Sequence, residues 1–262
     1  MVQVQELIHH IEQTAPLFLS ASWDNSGIQA AAHSQEVNKL AVFLDPLPDC
    51  VDRALAWGAD FLLSHHPLAI TPRLPDRTDF LHSVLRAVLC NDVWLYAAHT
   101  SLDVNSTGPV GWLARELSLS DVRPLDPLPQ HSDCGFGIIG EMQTPSAWGD
   151  FVSTLVEILS VANWRMGGTE PEEVKTVAYC PGSGAALLDR AVSAGADVLI
   201  TGDLKFHQAQ ECAEKRTRIL DVGHFILEER MMQIWAGELE TELPGLEVRF
   251  FPGFDPIRIY CR

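Results

Sequence analysis

Two neighbouring histidines, His65 and His66, close an apolar run in the motif SHHPL. Two further apolar runs each end in a histidine, three residues and a carboxylate: His99 with Asp103 in AAHTSLD, and His224 with Glu228 in VGHFILE. On a strand, adjacent side chains point to opposite faces, so His65 and His66 approach one site only if the chain turns there. Pro67 has no amide to give a ladder and supplies a reason to turn; two such histidines can then serve two different metal ions. A spacing of four puts His99 beside Asp103, and His224 beside Glu228, once a helical turn follows the strand. The same spacing also serves a helix cap or a local His–carboxylate pair, and HHP by itself occurs in ordinary turns. What points to metal is that the pair appears twice, in company with HHP. Imidazole with carboxylate and without thiolate suits Zn, Fe(II), Mn or Co. Two divalent ions about 3.5–4 Å apart repel, so Asp103 and Glu228 are the expected bridging carboxylates, accompanied by a bridging hydroxide. Such a cluster keeps net positive charge and suits a phosphate, carboxylate or nucleotide.

Other motifs carry weaker signals. GDLKFH places Asp203 where the first half has His66, followed by Lys205 and His207. These could orient ligands, move protons or touch a substrate anion; Asp203 could equally cap a helix and Lys205 sit in solvent. CPGSG offers the backbone amides of Gly182, Ser183 and Gly184 as a phosphate cradle, although most Gly-Ser-Gly turns merely turn and neither a P-loop nor GxGxxG is present. Cys180 has no histidine partner in sequence and reads as buried. WDNSGIQ, from Trp23 to Gln29, reads as a polar turn.

The elements that must position these residues are written twice. VDRALAWGADFLLS (Val51 to Ser64) reappears as LDRAVSAGADVLIT (Leu188 to Thr201) with seven identities and no gap. Upstream, KLAVFLDP aligns with the apolar run from Thr176 to Pro181; downstream, VWLYAAHTSLD has its counterpart in RILDVGHFILE. Within the first copy, AVFL, DFLLS and VWLYAA read as strands, and Pro46 to Trp57 and FLHSVLRAVLC read as helices. Strands alternating with helices of this length predict an α/β protein: two similar, duplicated halves with mostly parallel or mixed sheets covered by helices. Ligands then bind beyond the carboxyl ends of the strands, where Ser64, Ala98, Thr201 and Gly223 fall. We place the first half at 1–125, a connector with a short αβ element at 126–175 and the second half at 176–262. The connector holds a Pro-rich stretch, a Gly-rich stretch and a helix, WGDFVSTLVEIL, which completes the first sheet or begins the second.

Thirty-five acidic residues against eighteen Lys and Arg give a formal charge of −17. Such a surface repels nucleic acid and anionic membrane, so neither is an expected partner. The six cysteines are scattered without CxxC pairs and read as reduced thiols. The start of the chain does not read as a signal peptide, and no stretch of about 18 uncharged apolar residues exists to span a bilayer. The expected compartment is the cytoplasm.

Taken in order, WDNSGIQ, SHHPL, AAHTSLD, CPGSG, TGDLKFH and DVGHFILE resemble the Nif-three-like family of dinuclear metal proteins, whose members are often named GTP cyclohydrolase 1 type 2 homologues. The resemblance runs from about Trp23 to the C-terminus. It implies two similar α/β halves in a compact form without an inserted middle domain, assembled as a toroidal homohexamer. It puts two divalent metal ions on His65, His66, Asp103, His224 and Glu228, with His99 close by, in agreement with the reading from the residues. The implied activity is metal-dependent hydrolysis of a small anionic substrate, a nucleotide among the candidates, with His99 or His207 moving protons. A non-enzymatic metal chaperone or regulatory metal-binding protein is the alternative.

Overall fold

The computed structural model describes residues 1–161, 163–215 and 217–258. The described chain forms two compact units, one of Met1–Leu102 with the segment from Glu229 onward, the other Asp103–Glu228. The chain passes between them within the one-turn helix Thr100–Asp103 and again within the helix His224–Glu242. These units differ from the sequence boundaries at 125 and 175. The connector joins the second unit, and the C-terminal strand Glu247–Phe250 pairs with Lys39–Phe43 of the first.

The first unit carries a five-stranded sheet in the order Glu247–Phe250, Lys39–Phe43, Phe61–Ser64, Trp94–Ala97, Gly27–Ala30. Its first four strands are parallel and the last is antiparallel. The helix Pro48–Trp57 opens on a proline, whose fixed φ suits a first turn, and stops at Gly58 with φ 86°, a conformation that costs glycine little. Asp79 caps the helix Phe80–Cys90 by accepting from the His82 amide at 3.1 Å. Phe43, Leu62 and Leu95 from the strands pack on Val51 and Val84 from these helices, all fully buried or nearly so.

The second unit carries six strands in the order Ser120–Leu128, His131–Ala147, Glu173–Tyr179, Val198–Thr201, Arg218–Asp221, Arg165–Gly167. The three from Glu173 to Asp221 are parallel, and the flanking ones are antiparallel. Both units therefore build on three consecutive parallel strands with an antiparallel strand beside the third. The duplicated Gly-Ala-Asp does the same work in each. Gly58 and Gly195 take φ 86° and 78°, Ala59 and Ala196 are buried, and the aspartate reaches back to the start of the preceding strand. Asp60 accepts from the Asn38 and Lys39 amides, and Asp197 from those of Lys175 and Thr176.

The Pro-rich stretch of the connector is an edge strand rather than a linker. Pro124 and Pro127 pair opposite Ile138 and Gly135, and an edge tolerates residues that cannot donate on their outer side. Gly135 is needed there, since a Cβ would lie 2.3 Å from the Asp126 carbonyl. The expected helix is present as Trp148–Leu159. Among the described residues, no helix is long and apolar enough to cross a membrane. Cys50, Cys90, Cys134, Cys180 and Cys212 are free thiols, and Cys261 lies outside the described residues.

Candidate metal centre

In the first unit the strand Phe61–Ser64 ends one residue before the histidine pair. The chain then bends: the His65 and His66 amides both reach the Leu44 carbonyl, at 3.1 and 3.0 Å, and the Ser64 hydroxyl donates to the His66 carbonyl at 2.8 Å. The bend is what allows two sequential imidazoles to meet, with ring centroids 5.0 Å apart. His99, at the end of the next strand, brings its ring to 5.2 Å from His65 and 5.6 Å from His66. One nitrogen of each of the three rings lies within 4.8 Å of the others, a grouping that could hold a metal ion.

Each of these rings is fixed through Nδ1. His65 donates to the Ala98 carbonyl at 2.8 Å, His66 to Asp45 at 2.7 Å and His99 to Asp24 at 2.7 Å. The acceptors are carbonyl or carboxylate oxygens, so Nδ1 carries the proton and Nε2 keeps the lone pair. This is how protein histidines are prepared as metal ligands. Asp24 is itself tightly held, accepting from the Thr100 amide at 3.1 Å and hydroxyl at 2.5 Å and from the Ser26 hydroxyl at 2.6 Å. Burial alone would raise its carboxyl, but the hydrogen bonds from His99, Ser26 and Thr100 outweigh burial and keep it far below the usual carboxylate range. Glu229 has a different part: burial pushes its carboxyl up to about 7, and its Oε1 accepts from the Gly253 amide at 2.7 Å.

In the second unit, His224 opens its helix between two carboxylates. Its Nδ1 meets Asp203 Oδ2 at 2.8 Å and its Nε2 meets Glu228 Oε2 at 2.8 Å. A ring nitrogen and a carboxylate oxygen this close need a proton or a cation between them; an imidazolium or a metal ion answers equally well. Glu228 is 4 % exposed, and the Trp112 indole donates to the adjacent Leu227 carbonyl at 3.0 Å, which pins this turn. Burial pushes the Cys180 thiol well up, and the Asp103 and Glu228 carboxylates push it further, so both acids act on one small region. Like charges gathered in a buried place favour a bound cation.

The remaining candidates take other places. Asp203 is not a helix cap, because Lys205 is the N-cap of Phe206–Ala213; with φ 57° it turns its carboxylate to His224. Asp221 stabilises that loop by accepting from the Leu204 and Gly223 amides. Lys205 is exposed, its amide taken by Gln208, and His207 is exposed and meets Gln210 one turn on. Of the three amides of the phosphate cradle read from sequence, one is taken within the unit itself. The Gly184 amide donates to Thr201 Oγ1 at 2.8 Å, Ser183 is exposed, and Gly182 has φ 64°, a conformation that favours glycine, with the site of a Cβ 2.2 Å from Glu228 Oε1. The sequence reading missed Asp24 and Asp45, the carboxylates that orient His99 and His66. Asp24 had a signal, its place in a turn with Ser26, but nothing local linked it to a histidine 75 residues away.

The three imidazoles of the first unit, each with Nδ1 engaged, therefore form a donor set that could hold a divalent ion. A family model described as Duf34/NIF3 (NGG1p interacting factor 3) matches residues 2–255. The chain is 32% identical over 247 residues to a Streptomyces coelicolor protein named GTP cyclohydrolase 1 type 2 homolog, covering 92% of this chain and 86% of that one. It is 30% identical over 225 residues to a Clostridium perfringens protein of the same name, covering 86% of each. Among solved structures, reduced HcgD from Methanocaldococcus jannaschii matches with a TM-score of 0.82 and 26% identity over 96% of this chain and 97% of that one. Staphylococcus aureus SA1388 matches with a TM-score of 0.86 over 99% of both chains at 22% identity, a likeness of fold.

Proposed function

The chain belongs to the Duf34/NIF3 family, and from that premise we propose that it is a dinuclear metal-dependent hydrolase of a small anionic substrate, with nucleotides the first class to try. The observation that carries the reading is the engagement of Nδ1 in every candidate ligand histidine: His65 with Ala98, His66 with Asp45, His224 with Asp203. In this reading His65, His66, Asp103, His224 and Glu228 would hold two ions of Zn, Fe, Mn or Co. Bound ions would supply Lewis acidity and a water acidified to near neutrality. The chain's own residues do the rest. His99, with Nδ1 tied to Asp24, whose carboxyl is held far below the usual range, offers Nε2 to accept a proton and later return it to the leaving group, and the carboxylate stabilises the ring when charged. His207, exposed and paired with Gln210, is the other candidate for moving protons. The reading also includes a homohexamer in the cytoplasm, acting on small molecules rather than nucleic acid or membrane; a native mass of six chains checks the assembly.

The names of the Streptomyces and Clostridium relatives make GTP the first compound to assay. Metal-loaded protein should turn over GTP or a member of a panel of nucleotides, phosphodiesters and amides, and a Glu228→Ala variant should not. Rates equal to that variant across the panel would sink the hydrolase reading. The second reading is a metal chaperone or regulator, in which the same residues bind metal without turnover. Transfer of metal to an apo-enzyme without turnover is the result that selects it.

A further inference from the structure

Of the seven tryptophans, Trp23 alone is exposed, with 60 % of its surface open. It is nonetheless held firmly. The turn that carries it is tied on one side by the Ala21 amide to Thr100 Oγ1 at 2.9 Å. On the other side Asp24 takes the Thr100 amide and His99 Nδ1, and the Asp24 amide returns to the Ala21 carbonyl at 2.9 Å. The indole thus stands edge-to-face with the His99 ring, centroids 5.9 Å apart at 75°. An edge-to-face contact uses at most one face of the indole, so a wide apolar face is left to water, on a turn whose neighbouring residue orients a histidine of the candidate site. Packing does not account for this position, since a residue so exposed gains little from burial. A rigid aromatic surface next to a candidate metal site is suited to stacking a planar ring.

We propose that Trp23 is the stacking platform for an aromatic heterocycle carried by the substrate, whose anionic end goes to the histidine cluster. The inference rests on the hydrolase reading and narrows it: the substrate is an anion bearing a planar heterocycle, such as a purine nucleotide, and not a simple phosphate or an aliphatic phosphoester. Stacking is tolerant of which base is present, so Trp23 sets the class of ligand, while groups nearer the histidines act on the anionic end.

The test is calorimetric binding of GTP and of inorganic triphosphate to metal-loaded wild type, Trp23→Ala and Trp23→Phe, with metal content and native mass measured for each. Wild type should bind GTP more tightly than triphosphate. Trp23→Ala should weaken GTP by about 5- to 100-fold and leave triphosphate within about twofold, and Trp23→Phe should recover most of the loss. Guanine stacked on the indole should also quench a part of the tryptophan emission that both variants lack. GTP bound no more tightly than triphosphate by wild type, or equal weakening of both ligands in Trp23→Ala, overturns the platform while leaving the hydrolase reading in place. A change of native mass in Trp23→Ala with GTP affinity unaltered assigns the indole to contact between chains and overturns it too. If wild type binds neither ligand, the anionic-substrate reading falls and the platform with it.

Discussion

Replacing Gly182 and Gly195 by alanine separates what the candidate ligand Glu228 contributes from what the backbone costs. Both glycines take left-handed angles, φ 64° and 78°. A Cβ on Gly195 meets nothing within 4 Å, whereas one on Gly182 lies 2.2 Å from Glu228 Oε1. In either place an L residue with positive φ costs about 1–2 kcal/mol, partly offset by a stiffer unfolded chain, so each variant should melt roughly 2–4 °C low. The collision at Gly182 adds little to that figure, because the atom struck is the far end of a flexible side chain that can swing aside. It must swing by about 1 Å or more to restore van der Waals separation, and metal–ligand distances tolerate only about 0.2 Å. The consequence should appear in metal affinity. Disturbing even an outer-shell partner typically costs about 10–100-fold, so Gly182→Ala should bind Zn or Mn at least that much more weakly, with Gly195→Ala unchanged. Stability is read by thermal melts of the chelated proteins and affinity by competition with a chromophoric chelator. Equal metal affinity in the two variants and wild type would refute the placing of Glu228 in the metal shell.

Asp24→Asn should lose about 1–3 kcal/mol at neutral pH, because one of the donors around the carboxylate is left without an acceptor. The wild-type carboxyl titrates lower folded than unfolded, so its stabilisation is present above about pH 4 and fades as pH falls below that. The gap between the two proteins should therefore narrow on acidification, and melts that stay parallel from pH 7 to 2.5 would argue against it. A thiol reagent at pH 8, followed by peptide mapping, should label exposed Cys90 long before Cys180, whose thiol burial pushes up; equal rates would contradict the packing of CPGSG. Adding a chelator to metal-loaded protein should lower the melting temperature. Metal present at about 100 times Kd is worth about 2.7 kcal/mol, or roughly 5–10 °C for a chain of this size, and coincident melts would count against a bound ion.

The duplication was legible because a βα unit uses few residue types in fixed places. Gly-Ala-Asp stops a helix, fills the corner and ties off the previous strand, and its reuse at 58–60 and 195–197 marks equivalent turns in the two sheets. The histidine motifs were legible for a similar reason, since Pro67 signals the bend that lets His65 and His66 meet. Edge effects were not legible. Pro124 and Pro127 read as breakers, yet the strand they occupy has no neighbour on its outer side among the described residues. Nor did local pattern reveal that the C-terminal strand pairs with Lys39–Phe43, because pairing between distant strands depends on the whole sheet. The carboxylates that orient imidazoles were hidden for the same reason: Asp45 is 21 residues from His66 and looks like any acid before a proline. The surroundings of the CPGSG glycines were hidden too: a Cβ on Gly182 would meet Glu228, and one on Gly184 would meet Cys180 and Thr201, all distant in sequence except Cys180.

Anomalous diffraction from the metal-reconstituted protein at the Mn, Fe, Co and Zn edges tests the central claim most directly. The account predicts two ions per chain about 3.5–4 Å apart, with nitrogens of His65, His66 and His224 and oxygens of Asp103 and Glu228 at about 2.0–2.3 Å. Ions bound by other side chains, or no stoichiometric ion at any edge, would contradict it.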